Sequence, residues 1–179
     1  MIVTIGHSTR TSDELLALLG AHGVDEVLDV RRYPASRRHP HFARDALASA
    51  LRAAGIAYRH DADLGGRRAP RPDSPHTAWR SGAFRGYADH METEAFGAAL
   101  ERLMDAAADR TVALLCAEAV PWRCHRQLIA DALVARGVVV RHIIGPRPPE
   151  PHRLSPFARV EPGGRIVYAA PSAQEGLFD

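Results

Sequence analysis

Lysine and asparagine are absent from this chain of 179 residues, so all 23 of its basic residues are Arg. Against 21 acidic residues this leaves a formal net charge of +2, which excludes a histone-like polycation. No run approaches the ~18 apolar residues of a membrane span, and we expect no membrane association. The two cysteines are too few for a disulfide framework, and the first residues show no basic leader region. These absences predict a cytoplasmic protein.

The overall composition is that of a folded domain. Hydrophobic residues make up 46% of the chain and charged residues 25%, which excludes intrinsic disorder. The length suits one compact unit. We therefore expect a single α/β domain over residues 1–169 and a flexible tail over residues 170–179.

Hydrophobic patterning alternates between strand and helix along most of the chain. Apolar runs predict strands at 2–5, 27–30, 56–58, 112–116 and 138–144. Apolar stripes at helical spacing follow Thr11, Phe42, Thr93 and Pro121. Strands that are apolar on both faces and alternate with helices predict a mainly parallel open sheet with helices on both faces.

Three segments depart from this alternation. Residues 61–86 show no periodicity, so they are either a functional loop or a misassigned element. Residues 145–157 are rich in proline and should wrap the surface as an extended segment. Residues 157–169, with Glu-Pro-Gly-Gly-Arg in the middle, predict a C-terminal β-hairpin.

Reactive and cationic residues gather where the predicted strands end. In open α/β sheets, ligands bind beyond the carboxyl ends of the strands. Residues 31–44 contain five Arg and two His but no acid, with Tyr33 and Phe42 between them. Arg matches phosphate oxygens and aromatic rings stack on bases, so this loop suits a nucleotide or nucleic acid. A solvated loop that pairs with acidic helices is the alternative interpretation.

The segment from Cys116 to Arg126 carries the strongest candidates for chemistry. Cys124 and His125 are expected near the start of a helix, where the helix dipole lowers the pKa of a thiol. We predict Glu118, Cys124 and His125 as catalytic residues, with Glu118 as a general base. Cys116 ends an apolar strand and reads as a small buried hydrophobe.

Five separated motifs are similar to those of a known bacterial family. They are Thr4-Ile5-Gly6-His7-Ser8, Asp29-Val30-Arg31 with Pro34 to Arg37, Leu64-Gly65-Gly66-Arg67, Cys116-Ala117-Glu118 and Cys124-His125-Arg126. In this order they resemble the family called domain of unknown function 488, from about Met1 to Ile144. The resemblance implies that the motif residues form one site, and it assigns no reaction.

The predicted site combines these motifs with the basic loop. We expect substrate or phosphate to be bound by His7, Ser8, Arg31, Arg37, Arg38, His41, Gly65, Gly66, Arg67 and Arg126. The favoured function is that of a DNA- or nucleotide-directed protein, and its more specific form is an enzyme of DNA repair or replication that the sliding clamp recruits. One alternative is a thiol-dependent transferase that uses Cys124, since Leu28-Asp29-Val30-Arg31 is similar to a rhodanese strand. A non-catalytic binding module is another.

No cofactor is predicted. A metal held by some of Cys124, His125, Glu118, His7 and His41 is kept as a minor alternative, because no pair of these residues has zinc-finger spacing.

The last six residues suggest a protein partner. Gln174, Leu177 and Phe178 resemble the short peptide by which bacterial polymerases and repair proteins bind the sliding clamp, although Glu175 departs from the pattern. Two apolar side chains on a tail can anchor in a pocket of a partner. Packing of Leu177 and Phe178 onto their own domain is the alternative.

Overall fold

The computed structural model describes residues 1–170. Gln174, Leu177 and Phe178 lie outside the described residues, so clamp binding stays a prediction. Within residues 1–170, no helix is both long and apolar enough to cross a membrane.

Helices and strands alternate as the patterning predicts. The strands are β1 (Ile2–Gly6), β2 (Glu26–Asp29), β3 (Ala57–His60), β4 (Val112–Cys116), β5 (Val140–Ile143), β6 (Glu150–Pro151), β7 (Ala158–Val160) and β8 (Ile166–Tyr168). The α-helices are α1 (Ser12–Ala21), α2 (Arg44–Ala53), α3 (Gly82–His90), α4 (Glu94–Ala106) and α5 (Arg126–Val134). Short 3₁₀ turns occupy Pro40–Phe42, Ala62–Leu64, Pro121–Arg123 and Pro162–Gly164.

The main sheet has the order β3-β2-β4-β1-β5-β6. Its first five strands are parallel, and β6 adds an antiparallel pair at one edge. Strands β7 and β8 form the predicted C-terminal hairpin as a separate two-stranded sheet. The predicted fold class, a mainly parallel sheet with a C-terminal hairpin, is confirmed.

Each face of the sheet packs against its own set of helices. Alternate residues of β1 and β4 point to opposite sides, because side chains alternate along a strand. Leu15 and Leu19 of α1 lie over one face with the apolar residues of α2. Helices α3, α4 and α5 cover the other face and include Phe96, Leu100 and Leu128 in that core.

Local sequence signals explain several helix boundaries. The Thr11 side chain accepts from the backbone N–H of Glu14, and the Glu14 carboxylate accepts from the backbone N–H of Thr11, which is a complete capping box. Thr93 caps α4 in the same way through the backbone N–H of Phe96. Just after α1, Gly23 adopts a φ of 60°, which glycine allows without steric cost.

Helix α3 is the element that the patterning does not show. Of the two alternatives for residues 61–86, a functional loop or a misassigned element, the second holds from Gly82, where α3 begins. Ser81 stands at its N-cap without a side-chain hydrogen bond, so the start carries little sequence signal. Tertiary packing fixes the helix instead: Tyr87 is fully buried, and its hydroxyl donates to the carbonyl oxygen of Leu64 at 2.7 Å.

A buried network of hydrogen-bonded polar side chains connects the C-terminal residues to the sheet. Thr4 Oγ1 lies 2.8 Å from His142 Nδ1, and His142 Nε2 lies 2.9 Å from His152 Nδ1. His152 Nε2 then lies 2.8 Å from the Asp131 carboxylate, which also accepts from the Tyr168 hydroxyl. His152 is therefore buried, although it lies in the segment that was expected to wrap the surface.

Candidate functional site

A cleft opens at the carboxyl ends of β2, β4 and β1, which are neighbours in the sheet. Its volume is about 1030 Å³, close to the upper end of the range for small-molecule sites. Nine of the predicted site residues line it: His7, Ser8, Arg31, Arg38, Gly66, Arg67, Glu118, Cys124 and His125. The topology therefore brings the separated motifs to one place.

The other four predicted binding residues do not line the cleft. Arg37 is exposed to solvent, and the ring of His41 turns its Nε2 toward the carbonyl oxygen of Arg10 at 3.1 Å. Gly65 is buried, and a Cβ there would lie 2.9 Å from the carbonyl oxygen of Ala62. Gly65 therefore allows a close backbone approach.

Arg126 is fully buried, and its guanidinium points into the protein. It donates to the carbonyl oxygen of Glu118, to Thr4 Oγ1 at 3.3 Å and to Cys124 Sγ at 3.4 Å. Among residues 1–170 no carboxylate forms an ion pair with it, and when deprotonated the Cys124 sulfur is a negatively charged hydrogen-bond partner. Arg126 positions the loop of Glu118 rather than contacting a ligand.

Arg31 lines the cleft but is already engaged by a carboxylate. Its guanidinium binds Asp29 through Nε at 2.9 Å and through Nη2 at 2.5 Å, and it donates to the carbonyl oxygen of Phe42. The side chain is only 5% exposed. His7 lies 3.5 Å away, and burial lowers its pKa to about 4, with a further lowering by the charge of Arg31. Arg31 and His7 thus line the cleft as buried side chains, and Arg31 is held in place by Asp29 and Phe42.

Other arginines of the cleft carry uncompensated charge. Arg38, Arg67 and Arg123 line the cleft, and none of them forms an ion pair or hydrogen bond through its side chain with another residue of the range 1–170. Arg32 also lines the cleft and donates to the carbonyl oxygen of Ala62, a neutral partner. Glu118 is the single acid among the described lining residues. The cleft is therefore electropositive.

Unusual backbone geometry also concentrates at this cleft. Ser8 and Arg67 have positive φ values, 50° and 59°, and within residues 1–170 they are the two non-glycine residues that do so. Such conformations are sparsely populated for residues with a Cβ and tend to occur at functional sites. Both residues line the cleft.

Two thiols and an imidazole form the floor of the cleft. Cys116, 8% exposed, ends β4, and Cys124, 4% exposed, precedes α5. His125 Nδ1 lies 3.6 Å from Cys124 Sγ. A hydrogen bond from the Cys116 thiol lowers the pKa of Cys124 well below its ordinary value, and His125 and Arg126 lower it further against the effect of burial. The same hydrogen bond and burial raise the pKa of Cys116.

This cluster is also where the described residues could hold a metal. The ligand atoms of Cys116, Cys124 and His125 all lie within 4.8 Å of one another. Among residues 1–170, no other group of three His, Cys, Asp or Glu side chains is as close. The sequence had placed Glu118, His7 and His41 in the candidate set instead of Cys116.

A family model described as "Domain of unknown function DUF488" matches residues 11–133, which is more than half of the chain. The chain belongs to this family. The family predicted from the motifs is therefore confirmed. Comparisons with curated proteins and with solved structures give no match.

Within this DUF488 domain, the predicted set of site residues leaves out Cys116, Arg123 and Tyr33, which also line the cleft. The sequence favours a core role for Cys116, because nothing in a single strand shows that its end lies beside a second cysteine. Arg123 lies inside the segment from Cys116 to Arg126, two residues after Pro121. Its place in that segment could have identified it as a residue of the cleft. Tyr33 is 65% exposed in the wall of the cleft, and its place among arginines was the signal there.

Proposed function

We propose that this protein binds a nucleotide or a nucleic-acid strand through its phosphates, in the cleft at the carboxyl edge of the sheet. The observation that carries the proposal is the set of three arginines, Arg38, Arg67 and Arg123, that line the cleft without an ionic partner among the described residues. A concave surface with several free guanidinium groups attracts anions, and the planar fork of Arg fits phosphate oxygens.

The aromatic residues of the cleft favour a ligand with a base over inorganic phosphate. Tyr33 exposes 65% of its surface beside Arg32, and Phe84 lies in the same lining. Exposed rings beside cationic groups are the usual arrangement by which proteins hold bases and the phosphate backbone together. The volume of about 1030 Å³ accommodates a nucleotide or a short stretch of single strand.

The groups that act on the bound ligand in this proposal are Glu118, Cys124 and His125. Glu118 is exposed, and its carboxylate forms no ion pair or hydrogen bond with another residue of the range 1–170. A carboxylate without an ion-pair partner can serve as a general base toward a bound ligand. The hypothesis of a thiol nucleophile at Cys124 stays open beside it.

The binding test uses a fluorescently labelled single-stranded oligonucleotide, with anisotropy measured over a series of salt concentrations. We expect affinity to fall as salt rises, because phosphate contacts release counterions. Arg38→Ala, Arg67→Ala and Arg123→Ala should each weaken binding and flatten the slope of log K against log salt by about 0.7. Competition with unlabelled nucleotides then gives the preferred ligand size.

Arg52→Ala is the matched control for these variants. Arg52 is exposed and forms no ion pair among the described residues. It lies in the last turn of α2, which leads into the amino end of β3, whereas the cleft lies at the carboxyl ends of the strands. The Arg52→Ala variant should bind the oligonucleotide with the affinity of the unmodified protein. Equal weakening by Arg52→Ala and Arg67→Ala, or no binding of oligonucleotide or nucleotide at low salt, would overturn the proposal.

A further inference from the structure

The cysteines and the histidine on the floor of the cleft come from two neighbouring segments. Cys116 is the last residue of β4, and Cys124 and His125 occupy the two positions before α5. The backbone N–H of Cys124 donates to the carbonyl oxygen of Pro121 at 2.9 Å, which closes the short turn between them. This turn returns the chain so that the ligand atoms of all three residues lie within 4.8 Å of one another.

The imidazole of His125 is held in one orientation. Its Nε2 lies 2.9 Å from the carbonyl oxygen of Val30. A carbonyl oxygen can only accept, so Nε2 carries a hydrogen, and in the neutral imidazole Nδ1 then has the lone pair. Nδ1 is the ring atom that faces Cys124 Sγ, at 3.6 Å. A histidine that donates one N–H to a backbone carbonyl and turns its other nitrogen toward a thiol has the arrangement of a metal ligand.

Two neighbours support that orientation. The ring of Tyr87 packs beside His125, with 4.9 Å between the ring centroids. On the other side, a Cβ at Gly66 would lie only 2.7 Å from His125 Nδ1. The absence of a side chain at residue 66 therefore keeps the ligand atom accessible.

We propose that Cys116, Cys124 and His125 bind a zinc ion. Two thiolates and an imidazole are ligands that zinc prefers, and three protein ligands leave one tetrahedral position open. Structural zinc sites close that fourth position with a protein side chain, whereas catalytic sites leave it for water or substrate. All three residues line the cleft, so water or a molecule bound there is available as the fourth ligand.

The surroundings of Cys124 fit a metal-bound thiolate. Arg126 Nε donates to its sulfur at 3.4 Å, and hydrogen bonds from the outer shell orient ligands and stabilise them. The zinc site does not depend on phosphate binding by the arginines, since it is carried by other residues. It goes beyond the proposed function, because Cys124 and His125 then act as metal ligands and the zinc adds a Lewis acid in the same cleft as Glu118.

The test measures metal in the full chain without a histidine tag, purified in the presence of a phosphine reductant and dialysed against zinc. We expect about one zinc per chain to survive further dialysis. After replacement by cobalt, the absorption spectrum should show thiolate-to-cobalt charge transfer and the visible bands of tetrahedral coordination. Neither readout requires a substrate or the arginines, so this result is independent of nucleotide binding.

Variants identify the ligands. Cys124→Ser and His125→Gln should lower zinc affinity by more than the roughly 10- to 100-fold that loss of an outer-shell partner costs. His39→Gln is the matched control, because His39 lines the cleft beside His7 and would be the main contributor to adventitious binding. It should retain the metal. Circular dichroism checks that each variant is folded.

Gly66→Ala gives a second variant that keeps every ligand. The added methyl group must displace the ring of His125, so zinc affinity should fall although all three ligands remain. Folded protein that retains no zinc and gives no cobalt charge-transfer band would overturn the proposal. Retention by Cys124→Ser with loss in His39→Gln would also overturn it, because the metal would then be held by surface histidines.

Discussion

The backbone of Gly6 packs directly against the carbonyl group of Glu118, with no room for a Cβ between them. Arg126 donates to that same carbonyl oxygen from inside the protein. The end of β1 and the loop after β4 are therefore fixed together by backbone contact. The position of Glu118 in the cleft depends on a glycine that does not itself line the cleft.

Gly6→Ala should destabilise the protein and disturb the cleft. A methyl group there would overlap the Glu118 carbonyl and lie 2.9 Å from the guanidinium of Arg126. We expect a loss of about 3 kcal/mol in the free energy of unfolding, measured by urea denaturation. Gly97→Ala is the control, since nothing lies within 4 Å of its Cβ position in α4; it should gain about 0.5–1 kcal/mol. Equal stabilities of the two variants would contradict the packing described.

Tyr33 should contribute to the binding of bases. Stacking of one base on an aromatic ring is worth about 1–3 kcal/mol, so Tyr33→Ala should weaken oligonucleotide binding roughly 5- to 150-fold. Tyr33→Phe should bind nearly as well as the unmodified protein, because the ring is retained. Competition by inorganic tripolyphosphate, which has no base, should be unchanged in both variants. If Tyr33→Ala weakened tripolyphosphate binding equally, the ring would be acting through the arginines and not through stacking.

His142 should make folding stability depend on acid pH. Burial, followed by the charges of His152 and Arg126, lowers its pKa from 6.5 to about 4. The unfolded chain therefore takes up this proton first as the pH falls. The contribution to stability is complete above pH 6.5 and is lost as the pH falls through about 4, with a total of about 3 kcal/mol.

Urea denaturation at several pH values between 7 and 4 measures this contribution. His7 carries a similar shift, so the informative quantity is the difference between the unmodified protein and His142→Gln. The variant should lose less stability over this range, although it starts from a lower value because the contacts with Thr4 and His152 are broken. Parallel curves for the two proteins would show that His142 does not titrate as described.

Much of the fold could be predicted from the sequence, because its signals are local. The capping box at Thr11 and Glu14 and the apolar run of β4 each specify an element without reference to the rest of the chain. Helix α3 lacks such a signal, since burial of Tyr87 and not capping decides where it forms. The hydrophobic pattern alone therefore does not identify the first residues of α3 as helical.

The site was predictable in its location but not in the role of each side chain. The rule that ligands bind at strand ends predicts that the motifs lie together, and residues from each of them line one cleft. It could not show that Arg31 is engaged by Asp29 or that Arg126 turns inward, because those partners are set by tertiary contacts. Cys116 likewise gains its significance only from the return of the chain that brings Cys124 beside it.

A crystal structure of the protein grown with an excess of a nucleoside diphosphate tests the central claim most directly. The account predicts phosphate oxygens about 3 Å from the guanidinium groups of at least two of Arg38, Arg67 and Arg123, with the base beside Tyr33. A nucleotide bound outside the cleft, or a cleft that stays free of nucleotide at saturating concentration, would contradict it.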